Sequence, residues 1–159
     1  MRVVGIDLGA RRIGLAVSDA SAVLARPLET LVRPGGSGEK QAVQAVLEAV
    51  SRLERDDDAV DTLVVGFPRR LDGSPNDQTP VVERFVAALR VATPRTVVVQ
   101  DERLSSHEAE SRLALRERDW RKRKARLDAA AAAVILQDFL DARRPSAAWD
   151  SDASQRCAD

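Results

Sequence analysis

Within residues 3–19, two apolar runs rich in β-branched residues flank a loop that contains Gly9, the pattern of a β-hairpin. Residues 22–31 continue as a third strand, and Pro27, which cannot donate a ladder hydrogen bond, places it at a sheet edge. Arg33-Pro34-Gly35-Gly36-Ser37-Gly38 then breaks the chain. Over 39–55 the period changes. Ala42, Val43, Val46, Leu47, Val50 and Leu53 recur at helical spacing and predict an amphipathic helix, closed by the acidic run at 54–61. Thr62-Leu63-Val64-Val65-Gly66 is a short continuous apolar run, as expected of a parallel strand covered on both faces.

The next 14 residues, 67–80, are rich in Pro, Gly, Asn and Asp, and this length marks a candidate functional loop that carries Arg69 and Arg70. Thr79-Pro80 reads as an N-cap followed by proline in the first turn, opening a helix with a core stripe of Val82, Phe85, Val86 and Leu89. Residues 96–100 supply a fifth strand. Ser105 and Glu108 then match a capping box that starts another helix, which runs toward a basic stretch. A final helix is expected over about 127–142, with Leu127, Ala131, Val134, Ile135 and Leu140 on its apolar face and Asp128 in its first turn. Its alanines at 129–133 favour helix and carry little bulk, so it can lie close to whatever it packs on. Residues 144–159 read as a disordered tail after a domain spanning 1–143.

The order β-β-β-α-β-α-β-α-α is that of an α/β protein: three antiparallel strands, then two parallel strands reached by helical crossovers, in a five-stranded mixed sheet flanked by helices. Right-handed crossovers place the fourth strand beside the first and the fifth outside it. The carboxyl ends of strands one, four and five then share one edge.

A chain of 159 residues fits one domain, burying about two-thirds of the surface of its unfolded form. The only cysteine, Cys157, and the only histidine, His107, exclude internal disulfides, zinc-finger spacing and a Cys-His dyad within the chain. His107 reads as a surface residue at a helix start rather than a base. One cysteine, a strand at the very start and no long apolar run suit a cytoplasmic protein without membrane association. Net charge is zero, with 25 basic and 25 acidic residues, but it is segregated: residues 116–126 hold seven basic residues against two acidic ones. The absence of tyrosine, with only three phenylalanines and two tryptophans, disfavours modules that stack bases on aromatic platforms.

The topology brings three acids to the shared edge. Asp7 ends the first strand, Glu102 follows the fifth, and Asp128 begins the alanine-rich helix. Unpaired, they would repel and raise one another's pKa, so the cluster makes sense around Mg²⁺ or Mn²⁺, hard ions that prefer oxygen ligands. Two such ions about 4 Å apart can activate water and stabilise the departing oxygen of a phosphodiester. Each acid also has a structural explanation: Asp7 as a turn cap, Glu102 as a partner of Arg103, and Asp128 as a favourable charge at a helix N-terminus.

Four motifs in order make the chain similar to the YqgF/RuvX family of Holliday-junction-resolvase-like proteins. They are Gly5-Ile6-Asp7-Leu8-Gly9 with Arg12 to Asp19, Val65-Gly66-Phe67-Pro68 with Asp72-Gly73-Ser74, Asp101-Glu102-Arg103-Leu104, and Leu127 to Ala131 with Ile135-Leu136-Gln137. The resemblance covers residues 1 to about 143 and implies a ribonuclease H-like fold. It implies metal-binding catalytic acids at Asp7, Glu102 and Asp128, and a nuclease acting on branched DNA, on the precursor of small-subunit ribosomal RNA, or on both. Ser105-Ser106 stands where threonines are common in the family, and Arg69-Arg70 replaces a less basic pair.

Candidate phosphate contacts are Arg12, Arg69, Arg70, Arg103, Arg121, Lys122, Arg123 and Lys124. Matched cuts in a two-fold junction would call for a homodimer, whereas trimming an RNA leader needs one site. Two rival readings remain at this level. Gly5 to Gly9 also resembles the first phosphate loop of the actin, Hsp70 and sugar-kinase ATP-binding fold, and a catalytically silent nucleic-acid-binding protein could keep the same frame.

Overall fold

The computed structural model describes residues 1–33, 38–56, 59–67, 79–101 and 120–143, with the backbone alone for 120–126. Five strands, β1 (Arg2–Leu8), β2 (Arg12–Ser18), β3 (Ala25–Val32), β4 (Val60–Phe67) and β5 (Thr96–Asp101), form one mixed sheet in the order β3-β2-β1-β4-β5. Helices α1 (Glu39–Asp56) and α2 (Thr79–Ala92) are the crossovers that make β4 parallel to β1 and β5 parallel to β4. This is the strand order that right-handed crossovers dictate. β3, which carries Pro27, is an edge strand as expected.

Alternation along the strands divides the core into two layers. Val4, Ile6 and Leu8 of β1 point with Ile13, Leu15 and Val17 of β2 and Leu63 and Val65 of β4 toward α1 and α2. Val3, Ala16 and Val64, one residue out of phase, point the other way and are covered by α3 (Trp120–Arg143) through Ala132, Ile135, Leu136, Phe139 and Leu140. Ile135 and Leu136 are fully buried, each contributing about 1.5–3 kcal/mol. β1 and β2 therefore read as continuous apolar runs because both faces are covered.

Two boundaries differ from the expectation. β3 starts at Ala25 rather than at 22, because the Asp19 carboxylate gathers the connection into a turn: it accepts from the Ser21 hydroxyl (2.6 Å) and from the Val23 and Leu24 amides (2.8 and 3.1 Å). These bonds hold its pKa at about 2, and Ala22 within the turn takes a positive φ of 55°. The last helix starts at Trp120 rather than near 127. The expected start followed the apolar stripe, but the Arg, Lys and Ala residues upstream of it are themselves strong helix formers and extend the helix outward. Asp128 accordingly lies in the third turn. The helix expected from Ser105, the residues 68–78 of the connecting loop, and the tail at 144–159 lie outside the described residues.

A polar clamp closes the far end of the sheet. The Arg95 guanidinium donates to Glu54 (2.7 Å) and to the Val60 carbonyl (3.2 Å), and the Val60 amide donates to the same Glu54 (3.0 Å). Glu54 is held below its ordinary pKa of 4.5, first by the Arg95 bond. Because the folded pKa is depressed, this stabilisation is present at neutral pH and is lost as pH falls below 4.5. Arg95→Ala is expected to cost about 1–2 kcal/mol at pH 7. The deficit should shrink in acid melts, and a pH-independent deficit would rule out the pair as its source.

Candidate active site

Asp7 is the penultimate residue of β1, the central strand, and it shares a face with Val3 and Gly5, the face that α3 covers. Its partner across the ladder is Gly14 of β2. A Cβ placed on Gly14 would overlap the Asp128 carbonyl and stand 2.9 Å from the Ala129 amide nitrogen. Gly5 is crowded in the same way, its would-be Cβ meeting Leu136 Cβ at 2.8 Å and the Ala132 carbonyl at 2.9 Å. Two glycines on adjacent strands thus let α3 rest backbone against sheet. At Gly14, beside Asp7, the space that a side chain would take holds the helix itself.

This approach carries Asp128 to Asp7. The Asp7 pKa is raised from 3.8 to about 7, first by burial and second by the negative charge of Asp128. Among the described residues no hydrogen-bond donor or cation offsets this shift. Neither structural explanation survives for these two acids. Asp7 is paired within the ladder and the hairpin turn is closed instead by the Gly9 amide on the Arg12 carbonyl (2.8 Å). Asp128, being inside α3, gains nothing from a helix N-terminus.

The neighbouring motif residues have structural work. Ser18 Oγ accepts from the Val3 amide (2.9 Å) and donates to the Asp19 carbonyl (3.0 Å). Gln137 ties α3 to the β2–β3 turn, accepting from the Ala25 amide (2.9 Å) and donating to the Val23 carbonyl (3.0 Å). Gly5, Gly14, Ser18, Asp19 and Gln137 together explain most of these two motifs as scaffold. Asp7 and Asp128 face each other at a cost to folding, which scaffolding does not explain.

Of the other residues singled out from the sequence, Glu102, Arg69, Arg70, Arg103 and His107 lie outside the described residues. β5 ends at Asp101, paired with Phe67 of β4, at the same sheet edge as Asp7. Among the described residues no three His, Cys, Asp or Glu side chains converge. Arg121, Lys122, Arg123 and Lys124 fall in the first two turns of α3. The helix passes Leu136 at Gly5 and Asp128 at Gly14, and these four residues lie roughly 6–10 Å farther along its axis, on the N-terminal side of Asp128. Arg33 was not anticipated: its guanidinium donates to the Gly9 carbonyl (3.0 Å) and braces the hairpin, a contact that spacing in the sequence does not signal.

Residues 1–142 match the family described as RuvX, Holliday junction resolvase. The chain belongs to that family. A relative from Anaeromyxobacter dehalogenans, described as "Putative pre-16S rRNA nuclease", is 42% identical over 91% of this chain and 100% of its own length. One from Geobacillus kaustophilus with the same description is 39% identical over 91% of this chain and 100% of its own. The match thus spans whole relatives, unlike one half of a two-domain ATP-binding protein. Among solved structures, Thermus thermophilus RuvC in complex with a Holliday junction aligns with a TM-score of 0.53 at 20% identity, over 90% of this chain and 96% of that one. The RuvX chain therefore has the ribonuclease H-like fold of the resolvases. No helix among its described residues is long and apolar enough to cross a membrane.

Proposed function

We propose that this RuvX protein is a divalent-cation-dependent endonuclease that hydrolyses phosphodiester bonds in structured nucleic acid, with Asp7, Asp128 and Glu102 as cation ligands. The observation that carries the reading is the opposed pair Asp7 and Asp128, held together at a cost that a bound cation would offset. The donor set fits Mg²⁺ or Mn²⁺, since it is made only of carboxylate oxygens. When bound, such ions neutralise the attacked phosphate and lower the pKa of water. The chain's own part is placement: the central strand fixes Asp7, the glycine contacts fix Asp128, and both carboxylates must be ionised to hold cations. Glu102 joins them on the strength of the family motif and its position directly after β5.

Positive charge at 121–124, with Arg69, Arg70 and Arg103, is proposed to hold backbone phosphates around this edge. Precursor 16S rRNA is the substrate favoured, because relatives about 40% identical from end to end carry that description. Branched DNA is the second substrate, supported by the family description; two matched cuts there would require a homodimer. The test offers purified protein a ribosomal leader RNA, a four-way DNA junction and its linear arms in Mg²⁺, with Asp7→Asn as control. Leader cleavage that is lost in the control is expected. Junction cleavage alone would assign resolution instead, and cleavage undiminished in excess EDTA would end the metal reading.

A further inference from the structure

A cation stands at the tip of the β1–β2 hairpin. Arg12 opens β2 on the same face as Gly14 and Ala16, the face that α3 covers, and lies one pleat nearer the tip than Gly14, the ladder partner of Asp7. The residue is half-buried, and its Nη1 is buried with no hydrogen-bond partner among the described residues. A guanidinium cannot shed its charge, so a buried unmet donor on it is expensive and calls for an explanation. Arg12 and Asp7 stand on neighbouring strands and on one face of the sheet.

The backbone around Arg12 is fixed from both sides. The Arg12 carbonyl accepts from the Gly9 amide (2.8 Å), and a Cβ on Gly9 would stand 2.7 Å from that carbonyl, so only glycine closes the turn this tightly. Arg33 braces the outside, its amide donating to the Arg11 carbonyl (2.8 Å) and its guanidinium to the Gly9 carbonyl (3.0 Å). The turn itself, Gly9-Ala10-Arg11-Arg12, contains no acid. A rigid tip presenting a planar cation one pleat from the ladder partner of Asp7 suits an anion that reaches both places. A phosphodiester backbone does so, with one phosphate at the acids and the next at the guanidinium.

We propose that Arg12 is a phosphate ligand of the substrate, its buried Nη1–H completed by a non-bridging oxygen of the backbone phosphate adjacent to the one at the Asp7–Asp128 pair. This rests on the nuclease reading above. The test measures binding of labelled leader RNA and four-way junction in Ca²⁺ over a salt series, and cleavage in Mg²⁺, for the wild-type protein, Arg12→Ala and Arg12→Lys. Arg12→Ala is expected to bind about tenfold or more weakly at low salt, with a log-log salt slope shallower by about 0.7 on single-stranded RNA or 0.9 on duplex DNA, one phosphate's worth. Arg12→Lys should recover the slope but only part of the affinity, because lysine keeps the charge and loses the fork. Melting curves establish that the variants are folded. A salt slope in Arg12→Ala equal to that of the wild type overturns the assignment while leaving the nuclease reading intact. Wild-type protein that neither binds nor cleaves either nucleic acid overturns both.

Discussion

Asp7→Asn is expected to abolish cleavage while raising the melting temperature at pH 8. In the folded protein Asp7 titrates near 7 rather than 3.8, so between those values the folded state keeps a proton that the unfolded chain has released. Raising pH through that window destabilises the wild type, and above it the penalty is complete. At about 1.4 kcal/mol per pKa unit the ionised carboxylate costs up to roughly 4 kcal/mol. A buried amide keeps some desolvation cost, so a recovery of about 2 kcal/mol is expected, or about 4–8 °C. The gain should be flat above pH 7, shrink below it and nearly vanish below pH 3.8. Mg²⁺ should raise the melting temperature of the wild type at pH 8 and leave Asp7→Asn unmoved. Cleavage should fall by roughly 10³-fold or more, since the substitution keeps size and removes the charge that the cation needs. Retained cleavage, or a lower melting temperature at pH 8, would make Asp7 a structural residue.

Gly14→Ala is expected to be nearly as damaging to activity by a purely steric route. The added methyl group would occupy the place of the Asp128 carbonyl, and helix backbone cannot step aside as a side chain can. Overpacking of this kind costs about 1–3 kcal/mol, and here it also lifts Asp128 away from Asp7. Gly5→Ala is the internal control, because it strains the same helix near Ala132 and Leu136, about 6–12 Å farther along its axis. Both variants should melt lower. At a temperature where both are folded, Gly14→Ala should lose cleavage by about 10²-fold while Gly5→Ala keeps most of it. Equal activities would show that the helix position at Asp128 does not set the site. Gly14→Ala should also move Asp7 back toward its ordinary titration, readable as a flatter dependence of melting temperature on pH.

The rival ATP-binding reading rested on Gly5 to Gly9 alone, and the structure gives these residues a different use. Gly5 admits α3, and Gly9 closes a hairpin turn whose backbone is already bonded to Arg12 and Arg33. Family membership over residues 1–142 then decides between the two.

The order of the described elements, the sheet order β3-β2-β1-β4-β5 and the edge position of β3 were all legible in the chain, because side-chain period, proline chemistry and crossover handedness are local or topological rules. The identity of Asp7 as an acid at a strand end was legible for the same reason. The start of α3 was not, since a basic run is compatible with helix or loop until packing extends the helix over the sheet. Nor could spacing reveal that Gly14 lies under Asp128, that Asp19 and Gln137 are scaffold, or that Arg12 keeps a buried donor unmet. The Gly14 and Gln137 contacts join residues more than a hundred positions apart, and the Asp19 turn is made by side-chain bonds to the amides that follow it, so both wait on the folded backbone.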